Sequence, residues 1–279
     1  MEDNWLLRVR NLTKIYGEVT PGVTQRTGPK NNSNIDPKTG AIVACSNISF
    51  DLYPGEVLGI VGESGSGKST LVQMLYFDQA ATSGEALFRP VEEGEQNIFD
   101  LSNQRKRYIR NHLMGMVYQN PRDGLNFRFT SGGNIAEKLL MASVFHVGKI
   151  RIRASELLTH TEVPVKRMDE SPARFSGGMQ QRVQIAKAIA NNPPLLLLDE
   201  VTSGLDVSVQ ARVLDLIRGL QQELGISMIV VSHDLGVIRM LTDRTMVLKY
   251  GHIVEQGLTD QILQDPQHSY TQLLVSSLL

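Results

Sequence analysis

Residues 62–70 read GESGSGKST, a stretch that fits G-x-x-x-x-G-K-[ST], the pattern of a phosphate-binding loop. Its surroundings agree: EVLGIV before it reads as a buried strand and STLVQML after it as the start of a helix. Gly62, Gly65 and Gly67 let the backbone turn tightly, so that successive N–H groups converge on an anion at a helix N-terminus. In that geometry Lys68 reaches the terminal phosphates of a nucleotide and the Ser69 hydroxyl ligates Mg²⁺, with Ser64 and Thr70 completing the cradle. A glycine-rich turn with a solvated lysine is the competing reading, and it leaves the flanking strand and helix unexplained.

The second element is LLLLDE. Leu195–Leu198 form a continuous apolar run, as expected for a strand covered on both faces, and Pro193-Pro194 separate it from the helix before it. Asp199 at the end of such a strand holds Mg²⁺ directly or through water, and Glu200 orients or deprotonates an attacking water.

Outward from these motifs the chain alternates between β and α. LLRVRNLTKIYG and AIVACSNISFDL read as strands, separated from Gly17 to Gly40 by a loop with three prolines and an Asn-Asn-Ser-Asn run, expected to be mobile. ALFRPVEEGEQNIFD predicts strands around an acidic turn, Glu92 to Glu95, and MGMVYQ predicts a short strand. Residues 126–175 read as largely helical, with breaks at Gly132-Gly133, Gly148 and Pro164. In the helix opened by FSGGMQQRVQIAKAIANN, residues Met179, Val183, Ala186 and Ala190 share a face. A further helix carries Val209, Val213, Leu216, Ile217, Leu220 and Leu224, and ISMIVVSHD is a buried strand and turn. TMVLKYGHIVEQG reads as a hairpin over Tyr250-Gly251, and the tail from Thr259 as helical with a break at Pro266. The pattern is that of an α/β core.

Composition narrows the class. The 279 residues carry 28 Lys and Arg against 29 Asp and Glu, so no global basic field points to nucleic acid. The single cysteine, Cys45, sits in an apolar run and is expected to be a buried, unreactive thiol. No run approaches the ~18 apolar residues of a spanning helix, and MEDNWLLRVR does not read as a signal peptide. A cytoplasmic protein is expected, with any membrane role running through a partner.

FSGGMQQR, Phe175 to Arg182, stands just upstream of LLLLDE and matches the signature loop of ATP-binding cassette proteins. Taken in order with GESGSGKST, Gln119 and LLLLDE, it makes the chain resemble that family along nearly its whole length. The resemblance implies a single cassette over 1–279: a mixed sheet core, an antiparallel β subdomain, a helical subdomain at about 126–190 and a helical tail at about 259–279. It implies ATP and Mg²⁺ as cofactors and a homodimer in the ATP state, sandwiching two nucleotides head to tail. Ser176, Gly177 and Gly178 would then bind the terminal phosphate of the ATP held by the other subunit. Tyr16 corresponds to the aromatic residue that stacks on adenine, a core or surface tyrosine being the other reading. Gln119 corresponds to the loop glutamine that contacts Mg²⁺ and water. SGLD, Ser203 to Asp206, corresponds to the loop that communicates across the dimer, and Asp206 could equally cap the next helix. His233 corresponds to the histidine that holds the terminal phosphate and positions water. Val201 departs from the family, which commonly has proline there, and its presence is expected to loosen the turn.

MGMVYQNPRDGLNFRFTSGGNIAEKLL, SGLDVSVQARVLDLIRGL and the tail DPQHSYTQLLVSSLL most resemble the ATP-binding subunits associated with the carbon–phosphorus lyase complex, which degrades phosphonates. There the dimeric ATPase docks on a soluble enzyme core. The alternative is the ATPase of a peptide- or nickel-type importer, whose partners are integral membrane permeases and which shares the MQQR signature and the tail. A soluble cassette acting in translation or repair fits less well, because the chain has one phosphate loop and no sustained heptads. The loop from Gly17 to Gly40 reads as an additional docking element or as a tolerated insertion.

Overall fold

A computed structural model describes residues 4–276. From the N-terminus the elements are β1 (Leu7–Tyr16), β2 (Ile42–Leu52), β3 (Val57–Val61), α1 (Lys68–Leu75) and β4 (Ser83–Phe88). They continue with α2 (Asn103–Tyr108), β5 (Met114–Val117), α3 (Pro121–Gly124), α4 (Ser131–Met141), α5 (Val147–His160) and α6 (Gly177–Ala188). The chain then forms β6 (Leu195–Asp199), α7 (Val207–Leu224), β7 (Ser227–Ser232) and α8 (Leu235–Leu241). It closes with β8 (Arg244–Lys249), β9 (His252–Leu258), α9 (Thr259–Gln264) and α10 (Ser269–Ser276). Two compact units divide it, one of residues 1–102 with 229–279 and one of residues 103–228.

In the first unit β2, β1 and β4 form a three-stranded antiparallel sheet. β3 pairs in parallel with β8, which pairs antiparallel with β9 across the Tyr250-Gly251 turn. Both turn residues have positive φ, 49° and 79°, the twist a two-residue hairpin loop needs. Every residue of β3 and β7 is buried, so these strands are read correctly as apolar runs covered on both faces. The break expected at Pro266 separates α9 from α10.

In the second unit β5 and β6 pair in parallel, and α4, α5 and α6 pack on one another. Val183, Ala186 and Ala190 are buried as their spacing requires, and Met179 is half-buried. In α7 the buried set is Val213, Leu214, Ile217 and Leu220, while Leu224 near the end is exposed.

Four expectations are corrected. Gly132, Gly133 and Gly148 do not break helices. They lie in the first turns of α4 and α5, where Thr130 Oγ1 accepts from Gly133 N–H at 3.0 Å and His146 Nδ1 accepts from Lys149 N–H at 3.2 Å. A first turn tolerates glycine because its N–H groups are satisfied by the cap. Second, the segment after β4 forms 3₁₀ turns at Glu92–Gly94 and Ile98–Asp100 in place of a second strand, with Glu92 and Glu93 both at positive φ.

Third, the Gly17–Gly40 loop is packed. Val23, Thr27 and Asp36 are buried, and Arg26 forks onto Asp36 with Nε–Oδ1 2.7 Å and a second bond of 2.8 Å. Thr39 Oγ1 donates to the same carboxylate at 2.8 Å. Fourth, Val201 does not loosen its turn: it is 3% exposed, and Ser203 N–H donates to Glu200 O at 2.9 Å across it.

Candidate functional site

The first unit carries the phosphate loop, at the end of buried β3 and the start of α1. Gly67 occupies the N-cap of α1 with φ 103°, and Gly62 has φ 151°. A Cβ on Gly67 would collide with the Ala44 carbonyl oxygen, and one on Gly62 with the Leu248 carbonyl oxygen. Glycine is therefore required at both positions by neighbouring backbone. Lys68 is 4% exposed, and its Nζ donates to Gly62 O and Glu63 O, both at 2.9 Å. The ammonium thus sits against two loop carbonyl oxygens at the head of a helix. Ser69 and Thr70 follow in the first turn, half-buried, while Ser64 and Gly65 are exposed at the crown.

Distant segments hold this loop from outside. Gly251 N–H donates to Ser66 O at 3.0 Å, Glu63 N–H donates to the Tyr270 hydroxyl at 3.0 Å, and Asn34 Nδ2 donates to Gly65 O at 3.4 Å. The Cys45 thiol contacts Gly67 O at 3.5 Å, and burial pushes its pKa up to about 12, which suits the unreactive role expected. A cavity of 140 Å³ lies beside the crown, lined by Asn34, Ser64, Ser66, Lys249, Tyr250 and Tyr270 among others. Ser66 Oγ is buried without a hydrogen-bond partner.

Two further candidates belong to this unit. Tyr16 ends β1, is 37% exposed and carries Lys14 Nζ 4.7 Å from its ring centroid. His233 is exposed directly after β7. Its neighbours fix the backbone there: Ser232 Oγ accepts from Asp234 N–H at 2.9 Å, and Asp234 caps α8 by accepting from Gly236 N–H at 2.7 Å.

The second unit brings Gln119 and Glu200 together. Buried β6 ends in Asp199, 3% exposed, and Glu200 follows with φ 45°. A non-glycine residue in this region costs roughly 1–2 kcal/mol, and such strain collects at functional positions. Gln119 Nε2 donates to Glu200 Oε2 at 2.9 Å and to Ser203 Oγ at 3.4 Å. The glutamine thereby fixes the carboxylate through its NH₂ group, and its amide oxygen remains an acceptor.

The same unit holds the signature loop. Ser176 caps α6, accepting from Met179 N–H at 3.4 Å, and Ser176 and Gly177 are exposed at that end. A Cβ on Gly178 would collide with Val209 of α7, and one on Gly177 would touch Leu205 of the SGLD segment at 3.6 Å, so the start of α7 and the residue pair before it lie against the signature loop. Asp206 occupies the N-cap position of α7 without a side-chain capping bond. Gln184 and Tyr270 were not singled out in the sequence: Gln184 sat among apolar helix positions and Tyr270 in the tail. Nothing local marks a side chain whose partner is a distant backbone group.

Among the described residues no group of three or more His, Cys, Asp or Glu side chains could hold a metal. Of the expected donors, the first unit carries the Ser69 hydroxyl and the second the Gln119 amide oxygen and the Asp199 carboxylate, each an oxygen atom of the kind Mg²⁺ prefers. No helix of the described residues is long and apolar enough to cross a membrane.

Comparison with known proteins bears on this arrangement. The model of the ABC transporter family matches residues 45–203. A protein of Escherichia coli (strain K12), PhnK, named as a phosphonates utilization ATP-binding protein, is 49% identical over 234 residues, 84% of this chain and 91% of that protein. A peptide import ATP-binding protein of Brucella abortus (strain 2308) is 42% identical over 252 residues, 88% of this chain and 75% of that protein. Among solved structures, the dimeric cassette MJ0796 in a post-hydrolysis state with ADP and Pi superposes with a TM-score of 0.75 at 29% identity, covering 91% of this chain and 98% of that one. Phosphate loop, strand-end carboxylates and signature helix thus occur in a chain that the family model and these relatives match: it belongs to the ATP-binding cassette family and is an ATPase.

Proposed function

We propose that this chain hydrolyses ATP–Mg²⁺ as one half of a head-to-tail dimer, and that its turnover drives a soluble carbon–phosphorus lyase core in phosphonate catabolism. The observation that carries the assignment is the 49% identity to a protein named for phosphonates utilization, spanning nearly all of that protein. The 42% identity to a peptide import ATPase supports the alternative, an importer subunit docked on membrane permeases. Either way the work would be done in the cytoplasm, where ATP is available.

The chemistry follows from the residues. Phosphoryl transfer to water needs neutralised charge on the transferring group and an oriented nucleophile. Lys68 and the N–H groups of Gly65 to Thr70 meet the triphosphate, Lys68 exchanging its loop carbonyls for phosphate oxygens. Ser69, Gln119 and Asp199 would hold Mg²⁺, which supplies further neutralisation of phosphate charge when bound. Glu200, steadied by Gln119, accepts hydrogen bonding from the attacking water, and His233 fixes the terminal phosphate. Tyr16 offers its ring to the base, while Ser176, Gly177 and Gly178 meet the partner's nucleotide, with Asp206 at the dimer interface.

Glu200→Gln tests the mechanism: it is expected to lower turnover at least a hundredfold while the protein dimerises on ATP and Mg²⁺. Full hydrolysis by a species that stays monomeric in size analysis would refute the dimer. Purification of the tagged chain from its host tests the partner. Recovery of soluble lyase subunits supports the proposal, and recovery of integral permeases replaces it with the importer reading.

A further inference from the structure

Gln184 lies two turns along α6 from the Ser176 cap and is 1% exposed. Its amide closes two hydrogen bonds on the backbone of a single residue. Tyr118 N–H donates to Gln184 Oε1 at 2.7 Å, and Gln184 Nε2 donates to Tyr118 O at 3.1 Å. Gln181, 2% exposed, adds a bond from its Nε2 to Tyr118 O at 3.4 Å and accepts from Gln184 Nε2 at 3.3 Å. Such paired contacts to one N–H and C=O are what an adjoining strand would provide. β5 ends at Val117, so the Gln184 amide takes over where the strand stops.

The position matters because of what comes next. Residue 119 is the glutamine whose Nε2 holds Glu200 at 2.9 Å. Gly124, five residues on, makes the approach possible, since a Cβ there would fall on the Gln184 amide oxygen. All of these residues lie in one compact unit. Buried amides cannot exchange partners with water, so a displacement of α6 must carry Tyr118 with it or break both bonds. The far end of the same helix is the Ser176–Gly178 loop, about 12 Å away along the axis.

We propose that Gln184 is a positioning residue coupling the signature helix to the catalytic pair: engagement of the Ser176–Gly178 end by nucleotide is transmitted through Gln184 and Tyr118 to Gln119 and the carboxylate of Glu200. This rests on the proposal that the signature loop meets nucleotide. Gln184 is 1% exposed and acts through the backbone it grips.

The test uses the full chain with Gln184→Leu, which removes donor and acceptor at similar volume, and Gln184→Glu. A buried carboxyl is held neutral to higher pH, and its protonated form offers one acceptor and one donor, as the amide does. Q184L is expected to lose at least tenfold in kcat while the Kd for fluorescent ADP stays within twofold of the parent. Q184E is expected to approach the parent kcat toward pH 6 and to fall toward the Q184L value as pH rises, a profile that packing alone would not produce.

Unchanged kcat in soluble Q184L overturns the inference, as does an equal fall of kcat, ADP affinity and folded fraction. If Q184L does not fold, the Q184E pH profile decides alone, and a flat profile relative to the parent overturns the inference. ATP-driven dimerisation of the E200Q chain is measured alongside. If it fails, the dimer reading falls and the inference falls with it; if it succeeds and Q184L retains full kcat, only the inference falls.

Discussion

Around the phosphate loop, neighbouring segments press on the backbone itself. The carbonyls of Ala44 and Leu248 lie where any Cβ on Gly67 or Gly62 would go, and Gly251 N–H holds Ser66 O at 3.0 Å. Around Tyr118 and Gln119 the contacts run instead through side-chain amides: Gln184 and Gln181 on one residue, Gln119 on Glu200 and Ser203. Backbone clamps leave a loop one geometry in which its N–H groups converge. Buried amide links make the groups they join move together, because breaking one leaves a donor or acceptor unsatisfied at about 1–3 kcal/mol. The contrast suits the roles proposed above: a preformed cradle, and a Gln119–Glu200 pair that moves with α6.

Gly67→Ala should have the largest effect. Collision with a backbone carbonyl together with φ 103° is expected to cost about 2–5 kcal/mol and to abolish ADP binding, read by thermal unfolding and fluorescent-nucleotide titration. Gly65→Ala sharpens the point: its φ is 80° but no atom lies within 4 Å of the added Cβ, so only the backbone cost of roughly 1–2 kcal/mol is expected in stability. Equal destabilisation by both would mean that the clamp contributes nothing.

Gly124→Ala probes the other region. The new Cβ meets the Gln184 amide, the far end of a side chain that can move, so the fold is expected to survive while kcat falls about tenfold, or about 1.4 kcal/mol. ADP affinity should stay within twofold. A parallel collapse of ADP binding would erase the distinction between the two regions.

The same contrast explains what the sequence revealed. Gly62, Gly67 and Lys68 are legible together because they fall at fixed spacing in one short motif between a strand and a helix, and the positive φ at both glycines accords with the residue type found there. Four leucines before Asp199 likewise announce a covered strand locally. Gln184 could not be read this way: its partner is 66 residues away, and an amide in a helix satisfies any helical pattern. The misplaced helix breaks at Gly132-Gly133 and Gly148 have a related cause, since glycine reads as a breaker unless the cap before it is recognised. Thr130 and His146 supply those caps. The Gly17–Gly40 loop reads as mobile from its prolines and glycines, but the Arg26–Asp36 pair, 10 residues apart, and Val23 buried with Ile15, Ala41 and Val43 make it a packed element.

Tyr270→Phe gives a smaller effect on the clamp itself. It removes the acceptor for Glu63 N–H, a bond of 3.0 Å, and leaves the ring beneath Lys249 Nζ at 4.4 Å. A loss of about 1 kcal/mol corresponds to roughly fivefold weaker ADP binding, with kcat at saturation little changed. Unaltered affinity would show that the tail helix does not tension the loop.

The smallest expected effect lies in the Arg26–Asp36 fork. The Arg26 guanidinium holds the Asp36 carboxyl well below the usual carboxylate range, outweighing burial, which acts in the opposite direction. A depressed carboxyl pKa means that the unfolded loop binds the proton more readily than the folded one. The stabilisation is therefore complete above the unfolded value of about 3.9 and is lost as pH falls through the lower folded value. Amide exchange over residues 20–40, corrected for intrinsic rates, should be flat from pH 7 to 5 and accelerate in acid. Asp36→Asn should produce the acceleration already at pH 7. Because Asn34 reaches Gly65 O from this loop at 3.4 Å, the same variant should weaken ADP binding by no more than about twofold, the share of a single long hydrogen bond. A larger loss would move the loop from the periphery of the clamp to its centre, and no change in exchange at pH 7 would mean that the fork does not hold the loop.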